Sequence, residues 1–298
     1  MVVFQLKWSI DKKEAGSNIK DFLKKKEISK AALTAIKFNG GKISVNEKEE
    51  NVRYILQNND RLTVMFPKED PSEGLISEKI PFPIVYEDEF LLVVNKKDGM
   101  SSIPSREHPT GSLANALVGY YQEKGIEATV HIVTRLDKDT SGLVLIAKHR
   151  HIHHLLSKQQ KEGTVKRTYR AFAEGKLPLA EGVIEKPIGR REDSIIEREV
   201  RSDGQYARTR YKVCHYYSTF TFVELQLDTG RTHQIRVHLS DLGYPLVGDD
   251  LYGGGRKRLK RQALHCANLV FNHPITLQPL SFSSSLPEDM NELIKRDK

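Results

Sequence analysis

The chain is short of cysteine and has no long apolar run, and each shortage removes a class of protein. Two cysteines, Cys214 and Cys266, cannot build a disulfide framework and show no paired metal-ligand spacing. A reducing cytoplasm is the expected location. No apolar stretch approaches the ~20 residues of a membrane span, and Met1 to Asp11 carry no apolar core of the kind a secretory signal needs. A soluble protein without a membrane partner is therefore expected. Also missing are the Gly-x-x-x-x-Gly-Lys phosphate loop, Gly-x-Gly-x-x-Gly, Gly-x-Ser-x-Gly and His-Glu-x-x-His, which argues against nucleotide, dinucleotide, serine-hydrolase and zinc-protease chemistry. Asp139-Thr140-Ser141-Gly142 departs from the Asp-Thr-Gly of aspartic proteases by an inserted serine and has no second copy. Nothing repeats at a fixed period.

What is present is a chain of 298 residues, 38% hydrophobic and 29% charged, with a formal net charge of +8. The length suggests two domains. The positive balance suggests an anionic partner, of which nucleic acid is the commonest.

Residues 1–66 read as a small separate unit. Ser17 is a candidate cap for a short helix with Ile19, Phe22 and Leu23 on one face and Lys24, Lys25 and Lys26 outside. Ser29 is placed to cap a second helix through Phe38, stopped by Asn39-Gly40-Gly41. Ile43 and Val45 stand at strand spacing, Asn46 sits in a turn, and Leu62 to Phe66 form a last strand. Residues 67–83 carry four prolines, a glycine and two serines, which suits a linker.

Residues 84–298 form the second expected domain. Phe90 to Lys96 is a run suited to a fully buried strand, and Ser112 or Thr110 can cap a helix through Lys124. Val130 to Val133 leads to Arg135 and Asp137, and Leu143 to Ala147 reads as the next strand. A helix around Ile152, Leu155 and Leu156 carries His149, His151, His153 and His154, read as solvated or facing a polyanion because no third metal ligand sits nearby. Lys166 to Ala171, Gly204 to Tyr211 and Thr219 to Asp228 read as strands, and Ile184 to Val200 as solvent-facing strands or hairpins. After Thr229-Gly230 a helix carries Ile235, Leu239 and Leu242 on its apolar stripe, with Arg231, Gln234 and His238 on another side. Arg256, Lys257, Arg258, Lys260 and Arg261 follow three glycines and read as a flexible, positive loop. Short strands without regular βαβ alternation point to the α+β class, with a mixed, mainly antiparallel sheet and flanking helices.

The densest polar segment is Thr134-Arg135-Leu136-Asp137-Lys138-Asp139-Thr140-Ser141-Gly142, running straight into a strand. Charge against a core is costly, and is tolerated where it is used or where it forms a structural ion pair. Asp137 stands as a lone carboxylate, whereas glycoside hydrolysis normally needs two. A reaction that breaks and remakes a bond at an anomeric carbon without admitting water can proceed with one.

Several motifs in this order resemble the RluA-type RNA pseudouridine synthases. They are Arg135-Leu136-Asp137 with Thr140-Ser141-Gly142-Leu143, Lys166 with Tyr169 and Ala171, and the run Gly230 to His238. Gly248-Asp249 with Leu251-Tyr252-Gly253, and Leu264-His265 before Phe271 and His273-Pro274, complete the set, which spans roughly Ile84 to Asp289. The first unit resembles the S4 RNA-binding module around Lys30, Ile36, Gly41, Val45, Asn46, Asp60 and Leu62.

The resemblance implies the pseudouridine synthase fold and an isomerase that converts uridine in RNA to pseudouridine with one aspartate, no cofactor and no metal. Asp137 would be that aspartate, Arg236 its pairing arginine, held bidentate, and Tyr169 the ring against the base. Arg135 would help hold the RNA once the base is flipped out. Arg231, Lys24, Lys25, Lys30, Arg256, Lys257 and Arg258 are the further RNA-contact candidates. Sugar attack, addition to the base and a glycal route all stay open for Asp137. Ribosomal RNA is the favoured partner, with transfer RNA open, and a cytoplasmic monomer is expected. The other reading is a non-catalytic S4-type RNA-binding protein of ribosome assembly. Two positions depart from the family: Thr134 stands where many members have histidine, and Lys96-Lys97-Asp98-Gly99 replaces a Lys-Pro-x-Gly turn.

Overall fold

The computed structural model describes residues 4–69 and 74–297. The first three residues, the last one and the middle of the expected linker, including Pro71 and Ser72, lie outside the described residues.

The first unit contains β1 (Gln5–Ser9), α1 (Ile19–Lys25), α2 (Lys30–Phe38), β2 (Lys42–Val45), β3 (Lys48–Glu49) and β4 (Arg61–Met65). Its antiparallel sheet runs β1-β4-β2-β3. Ile19, Phe22, Leu23 and Ile36 bury against Ile43, Val45, Leu62 and Val64 in one core. Ser29 caps α2 by accepting from Ala32 N–H. The cap of α1 is Asn18, not Ser17: the Asn18 side chain accepts from Asp21 N–H, while Ser17 Oγ donates to Glu14 O. Strand β1 had no counterpart in the sequence reading, because its pairing partner β4 lies far along the chain.

The second unit opens with β5 (Ile84–Glu87), β6 (Leu91–Lys96), α3 (Leu113–Lys124), β7 (His131–Ile132), β8 (Ser141–Ala147) and α4 (Arg150–Lys161). Then come β9 (Lys166–Glu174), β10 (Glu181–Glu185), β11 (Ile188–Arg190), β12 (Arg198–Val200), β13 (Arg208–Tyr216) and β14 (Phe220–Leu227). The chain closes with α5 (Gln234–Asp241), a 3-10 turn (Asp250–Tyr252), β15 (Leu264–Asn272), β16 (Pro279–Ser283) and α6 (Glu288–Arg296). A ten-stranded sheet runs β10-β13-β14-β9-β15-β8-β6-β5, with β16 beside β15 and β7 beside β8. It is mixed and mainly antiparallel, with β15 and β8 running parallel.

That parallel pair positions the site. Every residue of β8 is buried, and each aliphatic side chain there stabilises the fold by about 1.5–3 kcal/mol. Its second residue is Gly142, whose φ of +116° and close approach to β15 admit no side chain: a Cβ would lie 2.3 Å from Cys266 O. The segment 134–140 therefore enters a rigid sheet centre at a fixed point.

The two units meet at the histidine-rich start of α4. The Phe4 ring stacks on His149 at 3.9 Å and Phe66 on His151 at 5.4 Å. Glu69 accepts from Arg150 N–H at 2.7 Å, lies 2.6 Å from His131 Nε2 and 3.3 Å from His149 Nε2. His149 and His151 are thus buried, which corrects the expectation of solvated or polyanion-facing rings. An aromatic edge satisfied by a carboxylate is as good a core component as a surface one. Burial pushes both imidazoles down to about 4. Burial also opposes the Glu69 charge, but the His131 contact and neighbouring donors hold its carboxyl down at about 2.

Two other expectations need correction. Helix α5 is buried on almost every side: Gln234 and His238 are as enclosed as Ile235 and Leu239. Their polar atoms find Thr209, Arg208 O and Lys186 O, so that side is closed as well and only the end of the helix, at Ser240 and Asp241, stays open to solvent. The basic loop is partly neutralised: Arg256 pairs with Asp250 at 3.2 Å, Arg258 with Glu174 at 3.4 Å, and Arg261 is buried against Asp289 at 2.7 Å.

Candidate active site

The segment 134–140 is held residue by residue. Thr134 is buried, and its Oγ1 accepts from Leu145 N–H at 2.9 Å. The position where the family often has histidine is here a backbone brace for β8. Ser102 Oγ accepts from Leu136 N–H at 2.9 Å and donates to Leu136 O at 2.7 Å. Thr140 N–H closes a turn on Asp137 O at 3.1 Å, and Gln262 Nε2 donates to Thr140 Oγ1 at 3.2 Å. With its neighbours fixed on both sides, Asp137 has few backbone freedoms left.

Its carboxylate is partly exposed, at 28%, and faces α5. Arg236 Nη1 donates to Asp137 Oδ2 at 3.3 Å. The sequence reading had that guanidinium gripping the catalytic carboxylate bidentate. The bidentate partner is instead Asp249, which accepts from Nε at 2.7 Å and from Nη2 at 2.8 Å. Asp249 is fully buried between Gly248 and the 3-10 turn, and it takes Nε and Nη2, leaving Nη1 for Asp137. Burial disfavours the Arg236 charge, but the hydrogen bonds and charge of Asp249, with Asp137 added, outweigh it and raise the pKa.

His233 sits just before α5 with φ of +57°, a left-handed conformation that a non-glycine residue adopts at some cost. The strain turns its ring into the site: Nδ1 lies 2.7 Å from Tyr252 Oη and Nε2 lies 3.9 Å from Asp137 Oδ2. Burial lowers the His233 pKa against the pull of Asp137. Tyr252 Oη accepts from Arg198 N–H at 2.9 Å, and the ring lies 4.8 Å from the Arg236 guanidinium carbon. Burial pushes the Tyr252 hydroxyl up to about 12.

Tyr169 lies on β9 between Leu225 of β14 and Cys266 of β15. It is buried, and its hydroxyl accepts from Arg167 Nη1 at 3.2 Å. Burial raises its pKa further than the Arg167 charge lowers it, so the phenol is protonated.

Asp137 stands where two cavities meet. The inner one, of about 70 Å³, is lined by Asp137, Arg167, Tyr169, His233 and Arg236 among others. The outer one, of about 390 Å³, shares Arg135, Arg167 and Arg231 with it and adds Ser101, Gln160 and Thr232. Among the described residues lining either, Asp137 is the sole carboxylate. Arg135 and Arg231 are exposed at the mouth, and Arg231 Nε donates to Tyr206 O at 2.9 Å.

The structure thus brings together Asp137, Tyr169, Arg236, Arg135 and Arg231. Lys24, Lys25 and Lys30 lie exposed on the first unit, and Arg256, Lys257 and Arg258 on the loop, none of them lining either cavity. Asp249, His233, Tyr252 and Arg167 had no role in the sequence reading. Each lies inside or beside a recognised motif, which was the available signal, but no spacing rule pairs Asp249 with an arginine 13 residues earlier.

Comparisons with known proteins show the family. The family described as RNA pseudouridylate synthase matches residues 90–241. The RNA pseudouridine synthase YjbO of Bacillus subtilis is 52% identical over 277 residues, covering 93% of this chain and 98% of that protein. Ribosomal large subunit pseudouridine synthase D of Neisseria meningitidis is 36% identical over 267 residues, covering 85% of this chain and 71% of that one. Human RNA Pseudouridylate Synthase Domain Containing 4 shares the fold, with a TM-score of 0.59 at 24% identity over 72% of this chain and 92% of that one. With a buried arginine and an enclosed tyrosine around one cleft carboxylate, and with these relatives, the chain belongs to the RNA pseudouridine synthases.

Proposed function

We propose that Asp137 is the catalytic carboxylate of this enzyme and that Arg236 and Tyr169 complete its centre. The observation that carries the reading is that, among the described residues, Asp137 alone supplies a carboxylate to a cleft lined by Arg135, Arg167, Arg231 and Arg236. Isomerising uridine to its C-glycoside needs an anion beside C1′ while the base is detached, and no water need enter. Arg236 orients the carboxylate through one hydrogen bond. Tyr169 presents a fixed surface to the flipped base, and its protonated hydroxyl can relay the proton that must leave C5, giving up its own as it takes that one. The carboxylate can open the sequence by attacking the sugar, by adding to the base or by removing a ribose proton. No step calls for a metal or cofactor.

Residues 1–66 serve as an S4-like RNA-binding unit joined by 67–83 to a catalytic domain of 84–298, with Lys24, Lys25 and Lys30 on the RNA-facing side. Its separate core supports this division. Arg135 and Arg231 grip the strand at the cleft, and Arg256, Lys257 and Arg258 add backbone contacts. Ribosomal RNA is the substrate, supported by the names of the relatives that are ribosomal large subunit pseudouridine synthases. The enzyme acts as a monomer in the cytoplasm; among the described residues no helix is long and apolar enough to cross a membrane. A purely RNA-binding role is disfavoured by family membership and by the intact centre.

The test is unmodified ribosomal RNA incubated with the purified protein and mapped for pseudouridine, beside transfer RNA. Conversion at discrete ribosomal positions, lost in Asp137→Asn while RNA binding persists, is expected. Full turnover by Asp137→Asn would remove Asp137 from the chemistry, and conversion of transfer RNA alone would overturn the substrate.

A further inference from the structure

Helix α4, from Arg150 to Lys161, contains no acidic residue. An ordinary solvated helix face mixes charges of both signs, which support each other at i, i+4. On α4 the exposed residues Arg150, His154, Lys158 and Lys161 instead form one basic stripe, within about 80° of each other around the axis. Lys158 is paired with Glu27 of the first unit at 2.7 Å and lies 3.9 Å from Glu162. Arg150, His154 and Lys161 make no ion pair among the described residues.

Each end of the stripe meets a cavity. At the N-terminal end a groove of about 830 Å³ lies between the two units, lined by Ser29, Ala32 and Ala35 from the α2 side and by Arg150 and His154 from α4. Its one carboxylate, Glu69, is already engaged by His131, His149 and Arg150 N–H, and Lys68 is paired with Glu127 at 3.0 Å. At the other end Gln160 lines the outer cavity that holds Arg135 and Asp137. About 15 Å of helix separates Arg150 from Gln160. The exposed Lys24 and Lys25 end α1 just before Glu27, so the first unit's lysines join the stripe near its middle.

We propose that α4 is the RNA track between the units. A strand leaving the cleft lays its phosphates along Lys161, His154 and Arg150 and enters the inter-unit groove. A row of cations along a helix whose neighbouring acids are engaged elsewhere suits a polyanion. The track spans about four nucleotides of a stacked strand, at about 3.4 Å each. Since Phe4, Phe66 and Glu69 fasten the first unit to the start of α4, that spacing is built in. The enzyme therefore selects uridines at a set distance from the RNA element that the first unit holds.

This extends the reading of the protein as a ribosomal RNA enzyme, and its affinity test is independent of turnover. Arg150→Ala with Lys161→Ala removes two exposed cations and keeps the main-chain bond to Glu69. Filter binding of unmodified ribosomal RNA should show the slope of log K against log salt reduced by about 2, and KM should rise about 10-fold with kcat within about twofold. Lys295→Ala, at an exposed lysine of α6 that lines neither cavity nor groove, should change the slope by less than about 0.5. A double variant with the wild-type slope, or an equal loss in Lys295→Ala, would overturn the track. Asn39 lines the groove, and Cys214 is the exposed cysteine. Asn39→Cys in a Cys214→Ser background, carrying a benzophenone, should crosslink nucleotides within about ten of the converted uridine. Crosslinks confined to remote positions, or none, would remove RNA from the groove. A wild type that binds ribosomal RNA without converting it would defeat the catalytic reading and leave the salt slopes to decide the track.

Discussion

The buried pair Arg236–Asp249 permits a sharp test. Asp249→Asn preserves shape and one acceptor oxygen while removing the charge that compensates Arg236. Both side chains are out of solvent, at 8% and 0% exposure, so water cannot substitute for the lost partner. Breaking one side of a buried ion pair costs about 3–5 kcal/mol, and the retained oxygen places this variant near the lower end, at about 3 kcal/mol. With a urea m-value of about 3 kcal/mol/M, the unfolding midpoint should fall by about 1 M. Activity should fall for a different reason. A guanidinium released from Asp249 turns toward Asp137 and binds it bidentate, occupying lone pairs that the substrate needs, so kcat drops by about 100-fold while RNA affinity stays within about twofold. Urea unfolding by circular dichroism and single-turnover conversion measure the two effects. An unchanged midpoint would refute the claim that Asp249 carries the compensating charge, and a stable variant with full kcat would refute both.

Three further outcomes follow from the same structure. Tyr169→Phe keeps the ring and loses the hydroxyl that accepts from Arg167; kcat should fall about 100-fold with RNA binding intact, and wild-type turnover would exclude the hydroxyl from proton transfer. Arg135→Ala should weaken RNA binding and reduce the slope of log K against log salt by about 1, measured by titration at several salt concentrations. His149 and His151 titrate at about 4 in the folded chain against 6.5 unfolded, so the unfolded state binds more protons between those values and stability is lost as pH falls through them. The loss approaches about 3 kcal/mol per ring. Glu69, at about 2 against 4.5, adds a second loss at lower pH. A melting temperature flat from pH 6.5 to 4 would contradict the buried state of the rings.

Local chemistry was legible wherever a signal and its partner lie close in the chain. Ser29 caps α2 because its acceptor and Ala32 N–H are three residues apart, and the run expected from Phe90 to Lys96 is a strand from Leu91 on because its own side chains demand burial on both faces. Of the two proposed caps for α3, Ser112 is the one used, its hydroxyl accepting from Asn115 N–H. What escaped was set by distance. Strand β1 depends on β4, the buried histidines depend on Phe4, Phe66 and Glu69, and α6 is fastened to the site loop through Arg261. In the site, Asp137, Tyr169 and Arg236 were reached through family resemblance. The Asp249 contact was not, because a buried carboxylate and its arginine leave no periodic trace.

The division of labour among the carboxylates explains how a lone acid can serve in so basic a cleft. Each buried arginine near Asp137 has its own anion: Asp249 for Arg236 and Asp289 for Arg261. Lys96 is satisfied by carbonyls. The strong bidentate grips are thereby made away from the cleft, and Asp137 receives a single hydrogen bond at 3.3 Å from a cation already committed elsewhere. A carboxylate clamped by two parallel donors would be well oriented but blocked, and one with no donor would be free but unaimed. Asp137 lies between these limits, aimed by one bond and with its other oxygen unclaimed by any ion pair among the described residues. On the proposed role of Asp137, that oxygen is the atom a reacting uridine has to meet.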